Sequence, residues 1–245
     1  MSGGGNGWEA RALALCEAAR RLAASGLITA SEGNLSARCG PGRLWITPSG
    51  VPKDAVAPED LVAVDLEGRP IGGGRPSSEL LMHLALYRER PDVEAAVHAH
   101  PPAATAFAAA GCVPDPAVMP ESMVLLHPVR LVPYGAPSTE ELAAQLAPLV
   151  AGCDTFLLAH HGALTAGRNV AEALFRMQAL ERLAEITLTA GPLGGPRRLG
   201  EAELESLEEI RRAYMKSPPP ELKGAAPFGP PQRPASVQGG EKGRC

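Results

Sequence analysis

Residues 93–110, VEAAVHAHPPAATAFAAA, are the stretch that decides the fold. Residues 93–100 form a short apolar run, which has the length and composition of a buried strand. Pro101 and Pro102 then open a helix to about Ala110, because the first turn of a helix tolerates a missing backbone N–H. A strand followed by a helix is one unit of a layered α/β domain.

Helix and strand patterns also alternate on both sides of this stretch. The helical segments carry apolar residues three or four positions apart, whereas the strand segments are short apolar runs near Gly or Pro. We therefore expect one layered α/β domain around a single sheet, spanning residues 8–216. Helices are predicted over residues 8–25, 77–90, 170–190 and 201–215, and strands over 44–47, 61–65, 129–132 and 155–160.

The two ends of the chain differ in composition from this domain. Residues 1–7 are rich in Gly, and we expect them to be flexible. Residues 217–245 hold seven Pro and five Gly, and they contain few large apolar side chains beyond Leu222 and Phe228. Because such a segment buries too little apolar surface to offset its conformational entropy, we expect a disordered tail.

Composition argues against several classes of protein. The chain has 245 residues and a net charge of −4 without a basic run, so binding to nucleic acid or to an anionic membrane surface is not indicated. No apolar stretch approaches the ~20 residues of a membrane helix, and the first residues do not resemble a secretory signal. The five cysteines are far apart and form no CxxC pair, which predicts a reduced, cytoplasmic protein.

Four of the six histidines lie in two clusters, each of which ends an apolar run. His98 and His100 are two positions apart on a predicted strand, so their side chains leave one face and can converge on a metal. Divalent metals take three or four protein ligands, and either His160 or His161 can supply the third. Glu79 adds a carboxylate. A single histidine in an apolar strand is more often a core residue, but clustering at strand ends favours a metal site.

The two other histidines show no such pattern. His83 lies in a predicted helix, one turn after Glu79, and we expect it to be structural. His127 is expected to lie in a loop.

Three turns of small residues each offer backbone N–H groups and hydroxyls that suit an anion. The third turn opens a helix, whose N-terminus attracts negative charge. Each turn alone also has an ordinary explanation as a helix cap or a tight turn. Neither a Walker loop nor GxGxxG follows a strand, so a nucleotide is not indicated. The turns are Gly33-Asn34-Leu35-Ser36, Thr47-Pro48-Ser49-Gly50 and Pro76-Ser77-Ser78-Glu79.

These turns belong to a series of six motifs that follow one another along the chain. The series is Glu32-Gly33-Asn34-Leu35-Ser36, Thr47-Pro48-Ser49-Gly50, Pro76-Ser77-Ser78-Glu79, Val97-His98-Ala99-His100, Pro133-Tyr134-Gly135 and His160-His161-Gly162-Ala163. In this order it resembles the class II aldolase/adducin family, most closely its fuculose-phosphate aldolases. The resemblance spans residues from about 8 to about 214. It implies a three-layer α/β/α domain around a central mixed, mainly antiparallel sheet.

The resemblance also implies roles for individual residues. His98, His100 and His161 would bind a divalent metal, which is zinc in the best-known members, and His160 would lie beside them. Glu79 would be the acid/base, and it can take a metal position when substrate is absent. The residues implied to hold the substrate phosphate are Gly33, Asn34, Ser49, Gly50, Ser77 and Ser78.

The activity implied is reversible cleavage of a phosphorylated ketose, such as fuculose 1-phosphate, into dihydroxyacetone phosphate and a short aldehyde. Family aldolases use tyrosines as proton donors, yet residues 113–127, where one lies in the family, contain no tyrosine. Tyr214 would be the other, near the metal of a neighbouring subunit in a homotetramer. Alternatives within the family are a ribulose-phosphate 4-epimerase, a methylthioribulose-phosphate dehydratase and a decarboxylase. A non-catalytic module like adducin is a further alternative, against which the complete ligand set argues.

Overall fold

The computed structural model describes residues 5–222, and a seven-stranded sheet forms the centre of this region. The strands are β1 (Asn34–Gly40), β2 (Arg43–Ile46), β3 (Val62–Asp65), β4 (Ala95–Ala99), β5 (Val129–Val132), β6 (Thr155–Leu158) and β7 (Gly162–Gly167). Their order across the sheet is β3-β2-β1-β4-β7-β6-β5. The pair β5–β6 is parallel, and the other five pairs of neighbours in this region are antiparallel.

Helices cover both faces of the sheet. They are α1 (Gly5–Ala24), α2 (Leu80–Glu89), α3 (Pro102–Ala109), α4 (Pro120–Leu126), α5 (Glu140–Leu146), α6 (Val170–Ala190) and α7 (Glu201–Lys216). Short 3-10 turns lie at Pro58–Asp60, Pro116–Val118, Ala147–Leu149 and Gly191–Leu193. Within the region described, every helix lacks either the length or the apolar character that crossing a membrane requires.

The core consists of two apolar layers, one on each face of the sheet. Strand β4 contributes to both because successive side chains point to opposite faces. Ala95, Val97 and Ala99 pack with helices α1, α3 and α6. Ala96 packs on the other side, with α2 and α5. The predicted three-layer α/β/α domain with a mixed, mainly antiparallel sheet is therefore confirmed.

Two central strands, β1 and β7, have no clear apolar pattern in the sequence. Strand β7 is GALTAG and strand β1 is NLSARCG, and small or polar side chains fill much of both. The strand predicted over 155–160 ends at Leu158, because the chain turns sharply into β7 and His160 adopts a left-handed φ of 58°. By contrast, β5 and α6 have the predicted bounds, since each carries a long or continuous apolar pattern.

The predicted chain ends fall partly outside the described residues, which exclude 1–4 and 223–245. Helix α1 begins at Gly5, earlier than the expected start at Trp8. The first residues after α7 contact the domain. Arg168 Nη1 donates to the Ser217 carbonyl at 2.7 Å, and Asn169 Nδ2 donates to the Pro220 carbonyl at 2.6 Å.

The position of β4 in the sheet brings distant parts of the chain to one place. On one side, His98 of β4 lies opposite Asn34 of β1. On the other side, Ala99 lies opposite Ala163 of β7. The end of β4 therefore meets the beginning of β1 and the turn that precedes β7.

Candidate metal centre

Three histidine side chains converge where β4 ends. The ligand atoms of His98, His100 and His161 all lie within 4.8 Å of one another. The Nε2 atoms of His98 and His100 are 3.2 Å apart. The ring of His98 lies against both other rings, with centroids 5.0 Å from that of His100 and 4.7 Å from that of His161.

The turn between β6 and β7 selects one of the two adjacent histidines. His161 enters the cluster, whereas the exposed His160 has its ring near that of Tyr134, with centroids 6.3 Å apart. The next residue is Gly162, a position at which a larger side chain would not fit. A Cβ at this position would lie 2.6 Å from both the Ala99 carbonyl oxygen and Cδ2 of His100. The close approach of β7 to His100 therefore depends on glycine.

The hydrogen bonding of these rings suits a metal. His98 Nδ1 is 2.8 Å from the Ala163 carbonyl oxygen, which can only accept, so Nδ1 carries the proton of the neutral ring. Its Nε2 therefore directs a lone pair into the cluster. Tetrahedral zinc with Zn–N bonds of about 2.0–2.1 Å requires N···N distances of about 3.4 Å, close to the observed 3.2 Å. The donor set thus fits a divalent ion such as zinc.

Glu79 borders the cluster from the start of α2. Its Oε2 lies 3.1 Å from His98 Nε2, and its Oε1 lies 3.1 Å from His161 Nε2. Asn34 Nδ2 donates to Oε2 at 2.8 Å. Among the described residues, Oε1 and the Nδ1 of His161 are buried without a hydrogen-bond partner. A buried carboxylate oxygen whose near polar neighbour is an imidazole nitrogen, and which makes no hydrogen bond there, is a second sign that the site holds a ligand.

The charge states follow from these contacts. Burial alone would raise the pKa of the Glu79 carboxyl, but positive charge on the His98 and His161 rings outweighs this effect and holds its pKa well below the usual range. The carboxylate is therefore ionised at neutral pH. Burial lowers the pKa of His100 to about 4, and His98 and His161 act in the same direction. His100 is therefore neutral at pH 7, as a metal ligand must be.

Backbone hydrogen bonds link the three turns of small residues beside this cluster. Thr47 bonds to both sides of Leu35: its N–H donates to the Leu35 carbonyl at 3.0 Å, and its Oγ1 accepts from the Leu35 N–H at 3.2 Å. Ser77 N–H donates to the Thr47 carbonyl at 3.1 Å, and its hydroxyl accepts from Glu79 N–H at 3.3 Å. The turns therefore form one continuous structure that ends at Glu79.

The residues expected to bind phosphate differ in how accessible they are. Ser78 and Gly50 are exposed and Ser49 is half-buried. Ser77 and Asn34 are buried, at 8% and 3% exposure, and the Asn34 amide is engaged by protein groups on both sides. Gly33 has a φ of 66°, and a Cβ there would lie 2.7 Å from the His98 carbonyl oxygen. Glycine at this position therefore allows β1 and β4 to approach closely.

Sequence reasoning missed Lys53, which links the residues just before the first of these turns to the residue just after the second. Its ammonium donates to the Ser31 and Val51 carbonyls, both at 2.9 Å, and the residue is only 2% exposed. Burial lowers the pKa of Lys53, while the negative charge of Glu79 acts in the opposite direction. Its position three residues after Gly50 was the available signal, but a lysine in a loop is ordinarily solvated.

Tyr214 lies away from the cluster of its own chain. Its ring is beside Arg168, whose guanidinium carbon is 5.4 Å from the ring centroid. Arg168 directly follows β7, whereas His161 directly precedes this six-residue strand. At about 3.3 Å per residue, the two ends of β7 are about 20 Å apart. Glu121, in the segment without tyrosine, is exposed in the first turn of α4.

The sequence profile of the Class II Aldolase and Adducin N-terminal domain matches residues 13–188, which is more than half of the chain. The chain belongs to this family. The motifs had identified the same family, and that prediction is confirmed. Family members depend on a divalent metal, in agreement with the group of three histidines.

Several relatives align over nearly their whole length. The methylthioribulose-1-phosphate dehydratase of Methylococcus capsulatus is 36% identical over 193 residues, which is 73% of this chain and 93% of that protein. The 5-methylthioribulose-1-phosphate/5-deoxyribulose-1-phosphate aldolase of Rhodospirillum rubrum is 36% identical over 213 residues, covering 84% and 95%. The 3-oxo-tetronate 4-phosphate decarboxylase of Escherichia coli strain CFT073 is 36% identical over 185 residues, covering 72% and 87%.

Solved structures show the same fold. An L-fuculose 1-phosphate aldolase superposes with a TM-score of 0.75 and 31% identity, covering 82% of this chain and 96% of that chain. Aldolases, a dehydratase and a decarboxylase thus share this domain. The chain is an enzyme of the family, and the reaction has to be argued from its site.

Replacement of a cluster histidine is expected to remove metal binding, and the adjacent histidine provides a matched control. His161→Ala deletes one of the three imidazoles, so we expect affinity for zinc to fall by more than about 100-fold, since outer-shell partners alone are worth about 10–100-fold. His160→Ala removes an imidazole of the same turn that lies outside the cluster. It is expected to keep zinc affinity within about threefold of the unmodified protein.

Competition between protein and a chromophoric chelator measures both affinities. Circular dichroism of each variant verifies that the fold is retained. Equal affinities of the two variants would contradict the assignment of the site to His98, His100 and His161.

Proposed function

We propose that the protein is a zinc-dependent aldolase that cleaves a phosphorylated ketose reversibly into dihydroxyacetone phosphate and a short aldehyde. The observation that carries this proposal is the convergence of three imidazoles and an ionised carboxylate beside the three linked turns. A structural module without chemistry would have no use for a buried carboxylate placed among three imidazoles with one oxygen that makes no hydrogen bond.

The role of the metal would be electrostatic. A divalent ion held by His98, His100 and His161 supplies positive charge next to the substrate ketone and its neighbouring hydroxyl. Neutral imidazole ligands leave that charge largely uncompensated, which favours chemistry that develops negative charge on oxygen.

Glu79 would act as the acid/base of the reaction. Its Oε2 is occupied by the amide of Asn34, whereas Oε1 has no hydrogen-bond partner among the described residues. Oε1 is therefore the atom that we propose to exchange a proton with the substrate carbon. As a carboxylate, Glu79 can accept that proton.

The linked turns would hold the phosphate of the substrate. The groups proposed to reach it are the hydroxyls of Ser49, Ser77 and Ser78 and the backbone N–H groups of Gly33 and Gly50. Asn34 borders this site while its amide holds Glu79. Lys53 lies beneath the first two turns and adds a fixed positive charge to a site that otherwise offers neutral donors.

The substrate class is narrowed by the relatives rather than by the fold. The motif resemblance had suggested a substrate like fuculose 1-phosphate, and one solved neighbour carries that activity. The Rhodospirillum rubrum relative is instead an aldolase of 5-methylthioribulose and 5-deoxyribulose 1-phosphates. We therefore propose a ketose 1-phosphate with an apolar end opposite the phosphate, to be compared directly with fuculose 1-phosphate.

A second candidate is dehydration of methylthioribulose 1-phosphate. Residues 113–127 lack the tyrosine that family aldolases place there, and an exposed carboxylate, Glu121, lies in this segment instead. The Methylococcus capsulatus relative carries out this dehydration at the same level of identity as the aldolase.

Product analysis separates these reactions. With zinc-loaded protein and 5-deoxyribulose 1-phosphate or methylthioribulose 1-phosphate, we expect dihydroxyacetone phosphate and an aldehyde, because cleavage divides the carbon chain. Dehydration keeps all substrate carbons in one product and loses one water. Phosphorus and proton NMR of the mixture identify both outcomes, and His161→Ala is the control for metal dependence. A dehydrated product with an intact carbon chain would contradict the proposed aldolase activity and support the dehydratase activity.

Removal of the Lys53 charge is expected to weaken the phosphate site. Lys53→Met keeps an unbranched apolar stem but deletes the donors to Ser31 and Val51. Because hydrogen bonds to charged groups are worth about 1.5–3 kcal/mol, we expect at least about a tenfold weaker inhibition by inorganic phosphate. Zinc content should be unchanged.

The control for this experiment is Lys216→Met, which removes an exposed lysine at the end of α7. Inhibition constants for phosphate at two salt concentrations distinguish a local site from general charge screening. Equal inhibition of both variants would contradict a role for Lys53 at this site.

Tyr214 is proposed to complete the site of a neighbouring subunit in a homotetramer. Tyr214→Phe keeps the ring beside Arg168 and removes only the hydroxyl. We expect kcat to fall by about 100-fold, within the range for loss of a general acid, while light scattering shows an unchanged assembly. Tyr134→Phe, in the exposed loop after β5, is the comparison. Full activity of Tyr214→Phe would exclude this residue as a proton donor.

A further inference from the structure

A chain of hydrogen bonds runs from Glu79 into the core between β1 and α2. Glu79 Oε2 is 2.8 Å from Asn34 Nδ2, and Asn34 Oδ1 is 2.6 Å from His83 Nε2. His83 Nδ1 is 2.6 Å from the Ser36 hydroxyl, which is 3.0 Å from the Tyr87 hydroxyl. The four residues behind the carboxylate are at most 3% exposed. A buried polar network of this length needs an explanation beyond packing. Apolar residues would fill the same space without the requirement that every buried polar group find a hydrogen-bond partner.

Two periodicities produce this network. Glu79 immediately precedes α2, and His83 and Tyr87 follow it within the helix at intervals of four residues. Their side chains therefore share one helix face. Asn34 and Ser36 are two residues apart on β1, so they share one face of the strand. The helix face packs against the strand face. Successive residues of the hydrogen-bond network therefore come alternately from α2 and from β1.

The direction of every hydrogen bond in this network is determined. An ionised carboxylate only accepts, so the Asn34 amide nitrogen must face Glu79 and its carbonyl oxygen must face His83. His83 Nε2 therefore carries a proton and donates it to Asn34. The neutral ring then accepts at Nδ1 from the Ser36 hydroxyl, which in turn accepts from the Tyr87 hydroxyl.

The neutral form of His83 agrees with its surroundings. The ring is fully buried, and its two nitrogen atoms contact a side-chain amide and a hydroxyl. Burial lowers the pKa of His83 to about 3, and the nearby His98 acts in the same direction. The ring is therefore a single-tautomer donor across the physiological pH range.

We propose that His83 is a positioning residue for Glu79. Its Nε2–H locks the Asn34 amide in the one orientation that donates to Oε2, and this holds Oε1 free towards the histidine cluster. Rotation of the amide by half a turn would place two acceptors, Oδ1 and Oε2, against each other. The network thus orients the carboxylate from behind. The inference rests on the proposed function only for the role of Glu79 as acid/base.

The first test needs no substrate. Long-range proton–nitrogen NMR of the histidine rings in the zinc-loaded protein reports the tautomer of His83, and we expect Nε2–H from pH 5.5 to 8. An Nδ1–H tautomer or an imidazolium would overturn the proposal. The side-chain amide protons of Asn34 are expected to be protected from exchange with water, and unprotected protons would also overturn it.

The second test compares two substitutions of His83. Gln can place an amide N–H near the position of Nε2, whereas Leu offers no donor. We expect His83→Leu to lose protection of the Asn34 amide and His83→Gln to retain most of it. Zinc content equal to that of the unmodified protein shows that the neighbouring site survives in both. If His83→Leu leaves the Asn34 amide protected, His83 does not position it.

Turnover adds a third measurement on the reaction that product analysis identifies. We expect His83→Leu to lower kcat by about 10–100-fold, the range typical of partners that orient a site residue, with KM changed less than about threefold. His83→Gln is expected to recover most of kcat. Equal losses in both variants, or a loss in KM alone, would contradict a positioning role. Failure of the proposed function would appear as inactivity of the unmodified protein, while the NMR tests would still decide the assignment of His83.

Discussion

The antiparallel pairing of β4 with β1 on one side and with β7 on the other is the constraint on which the rest of the structure depends. Each ladder fixes one relation: His98 stands opposite Asn34, and Ala99 stands opposite Ala163. A shift of either register by one residue would turn His98 to the opposite face, because side chains alternate along a strand. The metal ligands, the amide that holds Glu79 and the carbonyl that fixes the His98 tautomer would then separate together.

The sequence predicts those parts of the molecule that carry a strong local pattern. Strand β5 and helix α6 have continuous or periodic apolar residues. The spacing of His98 and His100, two residues apart on a strand, predicts that their side chains share one face. Strands β1 and β7 are central yet weakly patterned, because small and polar side chains are mixed with apolar ones in both, and Gly162 at the start of β7 leaves no room for a Cβ. Lys53 and His83 could not be assigned from the sequence. The role of each depends on at least one partner more than twenty residues away, to which no local pattern refers.

The buried charged groups near the site each contact polar partners. Glu79 is ionised among imidazoles, and Lys53 is held by two carbonyls on the other side of the same turns. In the proposed phosphate site, these two carbonyls partly offset the positive charge of Lys53, which limits repulsion between this cation and a bound metal. His83 completes the pattern as a neutral ring that orients charge without adding any.

The location of Tyr214 gives a physical argument for assembly. Within one chain, β7 separates it from His161, and Arg168 binds both the Met215 carbonyl and the Glu172 carboxylate, so α7 is anchored at that end of the strand. The Tyr214 ring lies against the Arg168 guanidinium at this end of the strand, so it cannot reach the histidine cluster of its own chain without a large movement of α7. If Tyr214 takes part in chemistry, it must do so at another copy. Burial and the charge of Glu172 raise the pKa of its phenol, which keeps the proton on the hydroxyl at neutral pH. In the proposed homotetramer, Tyr214 would therefore bring a protonated hydroxyl to the histidine cluster of a neighbouring subunit.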